Sequence, residues 1–202
     1  MFWSPYWETK TIQNRDRQSA FFPNSHRAKD GLSSERIDDS FLRKEVRAMW
    51  KKAEKQDYGQ LEEMCEALYL EDPSPDVKYP RENLKKSLLA FEQEPIRGCA
   101  VVYKLDGSCV AYAILASFWS NELGGEVCTI DELFTKKEFR GRGIARELFQ
   151  SLHKRTDYWP RETVTLELEV TPDNHRSRGF YEREGFRAIK NSVLRKYIPK
   201  FF

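Results

Sequence analysis

Apolar positions along this chain change rhythm several times, and each rhythm predicts an element. From Gln56 onward Leu61, Met64, Cys65, Leu68 and Leu70 recur at near-helical spacing, with Asp57 placed as N-cap, until Asp72-Pro73-Ser74-Pro75 ends the run. A second helix follows Pro80 through Leu84, Leu88, Leu89 and Phe91, with Glu82 in its first turn, and stops before Pro95, whose ring cannot continue it. Gly98 to Tyr103 and Cys109 to Phe118 are apolar, β-rich runs joined across Asp106-Gly107, a hairpin signal; Val127 to Thr135 follows a second turn at Gly124-Gly125. These three runs predict an antiparallel meander. The period then lengthens. Ile144, Ala145, Leu148, Phe149 and Leu152 make one stripe of a helix, after which Thr163 to Val170 alternates strictly, so the strands before and after that helix should run parallel as neighbours. A short helix from about Ser177 to Glu184, closed by Gly185, precedes a stretch from Phe186 to Tyr197 that can supply final strands. The predicted class is α/β (α+β), a mixed sheet with flanking helices.

Residues 1–40 keep neither rhythm: Trp3, Tyr6, Trp7, Phe21 and Phe22 are scattered among polar residues. They are read as an N-terminal extension, dispensable to the core, ahead of a domain spanning 41–202. Met49-Trp50-Lys51-Lys52-Ala53 can open that domain with a short first strand, and Met49 can equally be read as an alternative start. At 202 residues with 40% hydrophobic content the chain has enough apolar side chains for one sizeable core. Its 34 Lys and Arg against 32 Asp and Glu leave +2, so no overall field recruits nucleic acid or an anionic membrane. No run reaches the ~18 apolar residues of a membrane span and no signal peptide opens the chain, which makes a cytoplasmic address the expectation. Cys65, Cys99, Cys109 and Cys128 lie far apart with no CxxC pair and no nearby histidine, so buried reduced thiols are expected, and no metal.

Chemistry concentrates between Leu133 and Ala145. Gly141 and Gly143, set between a strand and a helix, let backbone N–H groups turn toward one point where the helix N-terminus adds partial positive charge. Lys136, Lys137, Arg140, Arg142 and Arg146 surround that point with only Glu138 against them, a charge excess suited to a pyrophosphate. The Gly-Lys-Ser/Thr ending of a P-loop is missing, and the loop follows a meander rather than the first strand of a parallel sheet, which argues against a dinucleotide fold. Taken alone, a basic glycine-rich turn is equally an ordinary solvated turn before a helix.

In its context the segment resembles the GNAT superfamily of acetyl-CoA-dependent N-acetyltransferases, whose loop reads Arg/Gln-x-x-Gly-x-Gly/Ala; Arg140, Gly143 and Ala145 fill it. A second block also matches, through Asn174, Ser177, Phe180, Tyr181, Gly185 and Phe186. The resemblance covers roughly residues 47 to 197. It implies a fourth and a fifth strand that splay apart, with the pantetheine arm of acetyl-CoA pairing along Leu133, Phe134 and Thr135. The pyrophosphate would then fall on the N–H groups of Arg142, Gly143, Ile144, Ala145 and Arg146 and the helix behind them, with Arg140 and Gly141 also among the cofactor-binding residues, and Asn174 would touch the cofactor arm or serve only as an N-cap. Tyr181 takes the position of the family's frequent general acid, and its hydroxyl can also serve simply as a hydrogen-bonding group. For the base, Asp131 and Glu132 are neighbours on one strand, so at most one easily reaches the cleft. Glu167 and Glu169 form a second pair.

The expected reaction is transfer of acetyl to a primary amine by direct attack in a ternary complex. Cys128 is the one thiol that suggests a covalent route, and without a histidine partner it reads as core. Glu122, Glu126, Asp131, Glu132, Glu167 and Glu169 lie in segments expected to border the cleft and favour a small cationic amine. Alternatives are a protein or peptide amine, or a non-catalytic module that senses acyl-CoA. A homodimer is left open as an assembly. Trp119-Ser120-Asn121-Glu122 are expected near the substrate mouth.

Overall fold

A computed structural model describes residues 48–73 and 81–198. The extension expected over residues 1–40 lies outside the described residues.

Five strands form one sheet in the order β1 to β5: Met49–Lys52, Gly98–Leu105, Ser108–Ser120, Gly125–Thr135 and Thr163–Leu168. The first four pair antiparallel and β5 runs parallel to β4. Asp106 and Gly107 turn the β2–β3 hairpin with φ of 50° and 82°. Both values are positive, as the two-residue turn that follows the sheet's twist requires.

Helices cover both faces. On one, α1 (Tyr58–Glu71) and α2 (Arg81–Gln93) bury Leu61, Met64, Cys65, Leu84 and Leu88 against Ala100, Val102, Tyr112, Ile114 and Phe134. On the other, α3 (Ile144–Ser151) buries Ile144, Leu148 and Phe149 against Val101, Ala113, Leu115, Cys128 and Ile130, with Trp159 sealed beside them. Phe180, Tyr181 and Phe186, from α4 (His175–Arg183) and just beyond it, pack on this second core. With both faces covered, β2 and β3 read as continuous apolar runs rather than alternating ones. Trp50 of β1 stacks edge-on with Tyr103, and its indole N–H donates to the Ile144 carbonyl at 3.0 Å, tying the outer strand to the first turn of α3.

All four cysteines are free and buried, as expected. Burial pushes the Cys99 thiol up to about 11 and Cys128 higher still. Among the described residues no helix is long and apolar enough to cross a membrane.

Two expectations fail. Asp57 stands at the N-cap of α1, yet its side chain does not cap the helix; the buried carboxylate instead accepts from the Glu54 N–H at 3.0 Å and pairs with Lys104 Nζ at 2.7 Å. A full cationic partner outcompetes a helix amide for a buried carboxylate. Nor do residues 186–198 form strands: Ile189, Val193, Leu194, Tyr197 and Ile198 stay exposed. Their spacing lacks the period of 2 that would bury one face against a sheet.

Candidate active site

β4 and β5 share a ladder only as far as Ile130 and Leu168, while β4 continues to Thr135. Beyond that point the strands part, and the gap opens into a cleft of about 840 Å³.

A bulge marks the parting. On β3, Ile114 pairs with Glu132 and Leu115 with Ile130, so Asp131 is an extra residue without a partner in that ladder. An extra residue reverses the alternation. Accordingly Cys128 and Ile130 face the α3 core whereas Glu132 and Phe134 face α1 and α2.

At the far end of β4 the chain turns through Lys137–Phe139 into Gly141 and Gly143, at φ of 76° and 80°. A Cβ built on either glycine meets nothing within 4 Å, so the backbone there is bare toward the cleft. The first α3 bond to the loop runs from the Glu147 N–H to the Gly143 carbonyl at 2.9 Å. The N–H groups ahead of it in the first turn lack an intrahelical acceptor and carry the positive end of the helix dipole. The predicted cofactor residues Leu133, Phe134, Thr135, Arg140, Gly141, Gly143, Ile144, Ala145, Arg146 and Asn174 all line this cleft. Arg142 does not: it lies over the Phe139 ring at 5.0 Å and donates to the Glu138 carbonyl.

Much of the expected basic ring is occupied within the protein. Arg140 donates through Nε to the Thr135 carbonyl at 2.7 Å and through both terminal nitrogens to Glu71 at 2.6 and 2.8 Å. Arg146 forks onto Glu184 at 2.7–3.0 Å.

Opposite the loop, α4 supplies Asn174 and Tyr181. Asn174 caps that helix, its Oδ1 accepting from the Ser177 N–H at 3.0 Å, while its Nδ2 donates to Asp72 at 2.6 Å. Tyr181 lines the cleft with its ring held among Phe149, Phe180 and Phe186. Burial, helped by the charge of Asp72, raises its phenol above the usual value and keeps it protonated near neutrality.

The two candidate bases separate. Glu132 accepts from Tyr112 at 2.9 Å, Tyr69 at 3.1 Å and the Cys65 thiol at 3.5 Å, on the face away from the cleft. Burial raises its carboxyl despite those donors, and burial together with Glu132 drives both phenols well above their usual range. Asp131 stands exposed at the parting of the strands, next to Glu169, which lines the cleft. Although the residue as a whole is exposed, partial desolvation of its carboxylate by the protein around it, and then the Glu169 charge, raise its carboxyl, with Arg195 opposing. Of the other acidic residues, Glu126 is bound to Ser117 and Arg161 and lies with Glu122 toward the β3–β4 turn, as does Trp119. That turn sits at the opposite end of β4 from the glycine loop, and Trp119, expected near the substrate mouth, is not among the residues that line this cleft.

Glu71, Asp72 and Thr171 were not foreseen, although all three line the cleft. A signal existed: two acids close α1, where the negative end of the helix dipole disfavours them. Among the described residues no group of three His, Cys, Asp or Glu could hold a metal.

The sequence model of the acetyltransferase (GNAT) family matches residues 61–186, more than half of the chain. The chain belongs to that family. No curated protein matches it by sequence. Solved structures of acetyltransferases resemble it in fold. A possible acetyltransferase from Clostridium difficile 630 superposes with a TM-score of 0.63 at 20% identity, over 77% of this chain and 100% of its own. Ribosomal-protein-alanine N-acetyltransferase from Brucella melitensis biovar Abortus 2308 gives 0.56 at 18% identity, over 74% and 99%. An aminoglycoside N-acetyltransferase in complex with CoA gives 0.55 at 14% identity, over 75% and 100%. The five-stranded mixed sheet with its parting fourth and fifth strands is thus the GNAT fold.

Proposed function

We propose that this protein is an N-acetyltransferase that moves acetyl from acetyl-CoA to a primary amine, a small cationic one, by direct attack in a ternary complex. The observation that carries this reading is the cleft itself: two strands part at a bulge, and the gap ends on a glycine loop whose amides and helix terminus face outward. The site fits the cofactor. Side-chain-free backbone at Gly141 and Gly143 leaves room for phosphate oxygens at hydrogen-bonding distance, and the unpaired edge of Leu133 to Thr135 offers strand-like partners to an amide-bearing arm. Acetyl-CoA, when bound, supplies the activated acyl group.

This chain's residues do the rest. Asp131 takes or anchors the amine proton at the bulge, with Glu169 beside it adding attraction for a cation. Tyr181, neutral and lining the cleft, holds the proton that a departing thiolate needs. Cys128 is sealed in the core with its thiol raised, which disfavours a covalent acyl-enzyme. Glu132, saturated by three donors, is assigned a structural role.

The test is thiol release from acetyl-CoA over a panel of polyamines, amino sugars, amino acids and peptide amines, beside calorimetry with CoA. Turnover with a small cationic amine is expected. CoA binding without turnover on any amine would make the protein a sensor, turnover on peptides alone would move the acceptor class, and no CoA binding would end the reading.

A further inference from the structure

Glu71 and Asp72 are the last residue of α1 and its C-cap, and each grips a different wall of the cleft. Glu71 holds Arg140, and through it the end of β4, since the same guanidinium donates to the Thr135 carbonyl. Asp72 holds the β5–α4 connection: Thr171 Oγ1 donates to one carboxylate oxygen at 2.7 Å and Asn174 Nδ2 to the other at 2.6 Å. Four short contacts thus run from two consecutive residues to the two sides of the gap. All are charge-assisted, the stronger kind of hydrogen bond. The helix gains nothing locally from these acids, because its own C-terminus repels them. Their compensation comes entirely from the opposite walls.

We propose that Glu71 and Asp72 are positioning residues that clasp the parted ends of β4 and β5 and set the width of the cleft for the acyl donor. The inference rests on the proposed function and extends it. Arg140 then serves as a tie, its fork spent on Glu71 and Thr135, and the phosphates are left to backbone amides. Asn174 is oriented by the same clasp, one end of its amide on Asp72 and the other on the α4 cap.

The experiment compares Glu71→Gln, Asp72→Asn, their double variant and a control, Arg97→Gln, which cuts an exposed ion pair to Glu94 outside the cleft. Calorimetric Kd for CoA, KM for acetyl-CoA and for the amine, and Tm are measured on each. Each single variant is expected to weaken CoA binding about tenfold, on the order of the net contribution of one hydrogen bond to a charged group. The KM for acetyl-CoA should rise with it, while the amine KM and the control stay put. The double variant should resemble the singles, because a clasp cut at either end is open. Unchanged Kd in the singles would overturn the proposal. So would tighter binding, which would make the acids internal competitors of the phosphates, and so would independent losses that multiply in the double variant. Should a variant unfold, Thr171→Val removes one Asp72 donor with little change of shape and gives the same readout. Failure of the unaltered protein to bind CoA would overturn the proposed function itself, and the clasp with it.

Discussion

The two sides of β4 differ in how completely their polar groups are satisfied. Toward α1 and α2, Glu132 sits among Tyr69, Tyr112 and Cys65, each within 2.9–3.5 Å, in a closed layer where Tyr112 and Leu61 are fully buried. Toward the cleft, bare backbone at Gly141 and Gly143 and the first amides of α3 face open space, and Asp131 stands exposed beside Glu169, which lines the cleft. A polar network whose members answer one another stabilises a fold, whereas hydrogen-bonding capacity aimed at a cavity suits a ligand. Adjacent carboxylates on one strand therefore stand in different surroundings, one answered by three donors and the other exposed.

The largest expected effect tests the cleft side. Tyr181→Phe keeps the ring packing against Phe149 and Phe186 and should lower kcat by 10²–10⁴, on the order of a full acid contribution, with little change in the KM for acetyl-CoA. Steady-state kinetics with the accepted amine checks it; unaltered kcat would leave protonation to water.

Asp131→Asn should come next, lowering kcat/KM for the amine by roughly 10²-fold. Because the Asp131 carboxyl is raised, the activity it supports should fade, as pH drops, at a higher pH than an ordinary aspartate would give. A pH–rate profile that keeps its acidic limb in this variant would assign the limb to another group.

Gly143→Val strikes the loop. A β-branched side chain would enter the open space over the amides and strain a φ of 80°. A hundredfold excess of CoA over Kd should stabilise the unaltered protein by about 2.7 kcal/mol, and most of that shift should vanish in the variant. Thermal melts with and without CoA separate lost binding from lost stability.

On the closed side, Glu132→Gln should cost about 1–3 kcal/mol of folding stability in denaturant titration, because three donors lose a charged acceptor. Its kcat should stay within a few-fold of the unaltered protein. A loss matching that of Asp131→Asn would erase the division between the two faces.

The smallest effect concerns the clasp. Arg140 holds the Glu71 carboxyl below the usual carboxylate range. A lowered folded value contributes stability above the unfolded pKa, lost as pH falls through the folded one. That part of acid destabilisation, below about pH 4, should disappear in Glu71→Gln, by under about 1 kcal/mol since the pair is partly solvated.

Much of this was legible in the residues alone. The helical spacing of Leu61, Met64, Cys65 and Leu68 and the alternation that carries Leu166 and Leu168 named their elements because one-faced burial imposes those periods, while Leu70 at the end of the helical run stays exposed. Asp106-Gly107 named its turn because few residue pairs tolerate two positive φ values, and Gly141 with Gly143 marked the loop for the same reason. The order of these elements, with the Arg140 and Asn174 blocks, sufficed for the family. Tertiary structure alone decided that Glu132 turns away from the cleft. Period-2 counting has no term for an extra residue, and the bulge at Asp131 turns Glu132 inward. It also decided that Asp57 serves Lys104 rather than its helix, that the stretch after Phe186 finds no ladder, and that Glu71 and Asp72 reach across the gap. Each of these rests on a partner tens of residues away or on a ladder that never forms. Local pattern records what a residue prefers, and the packed fold sets what stands opposite it.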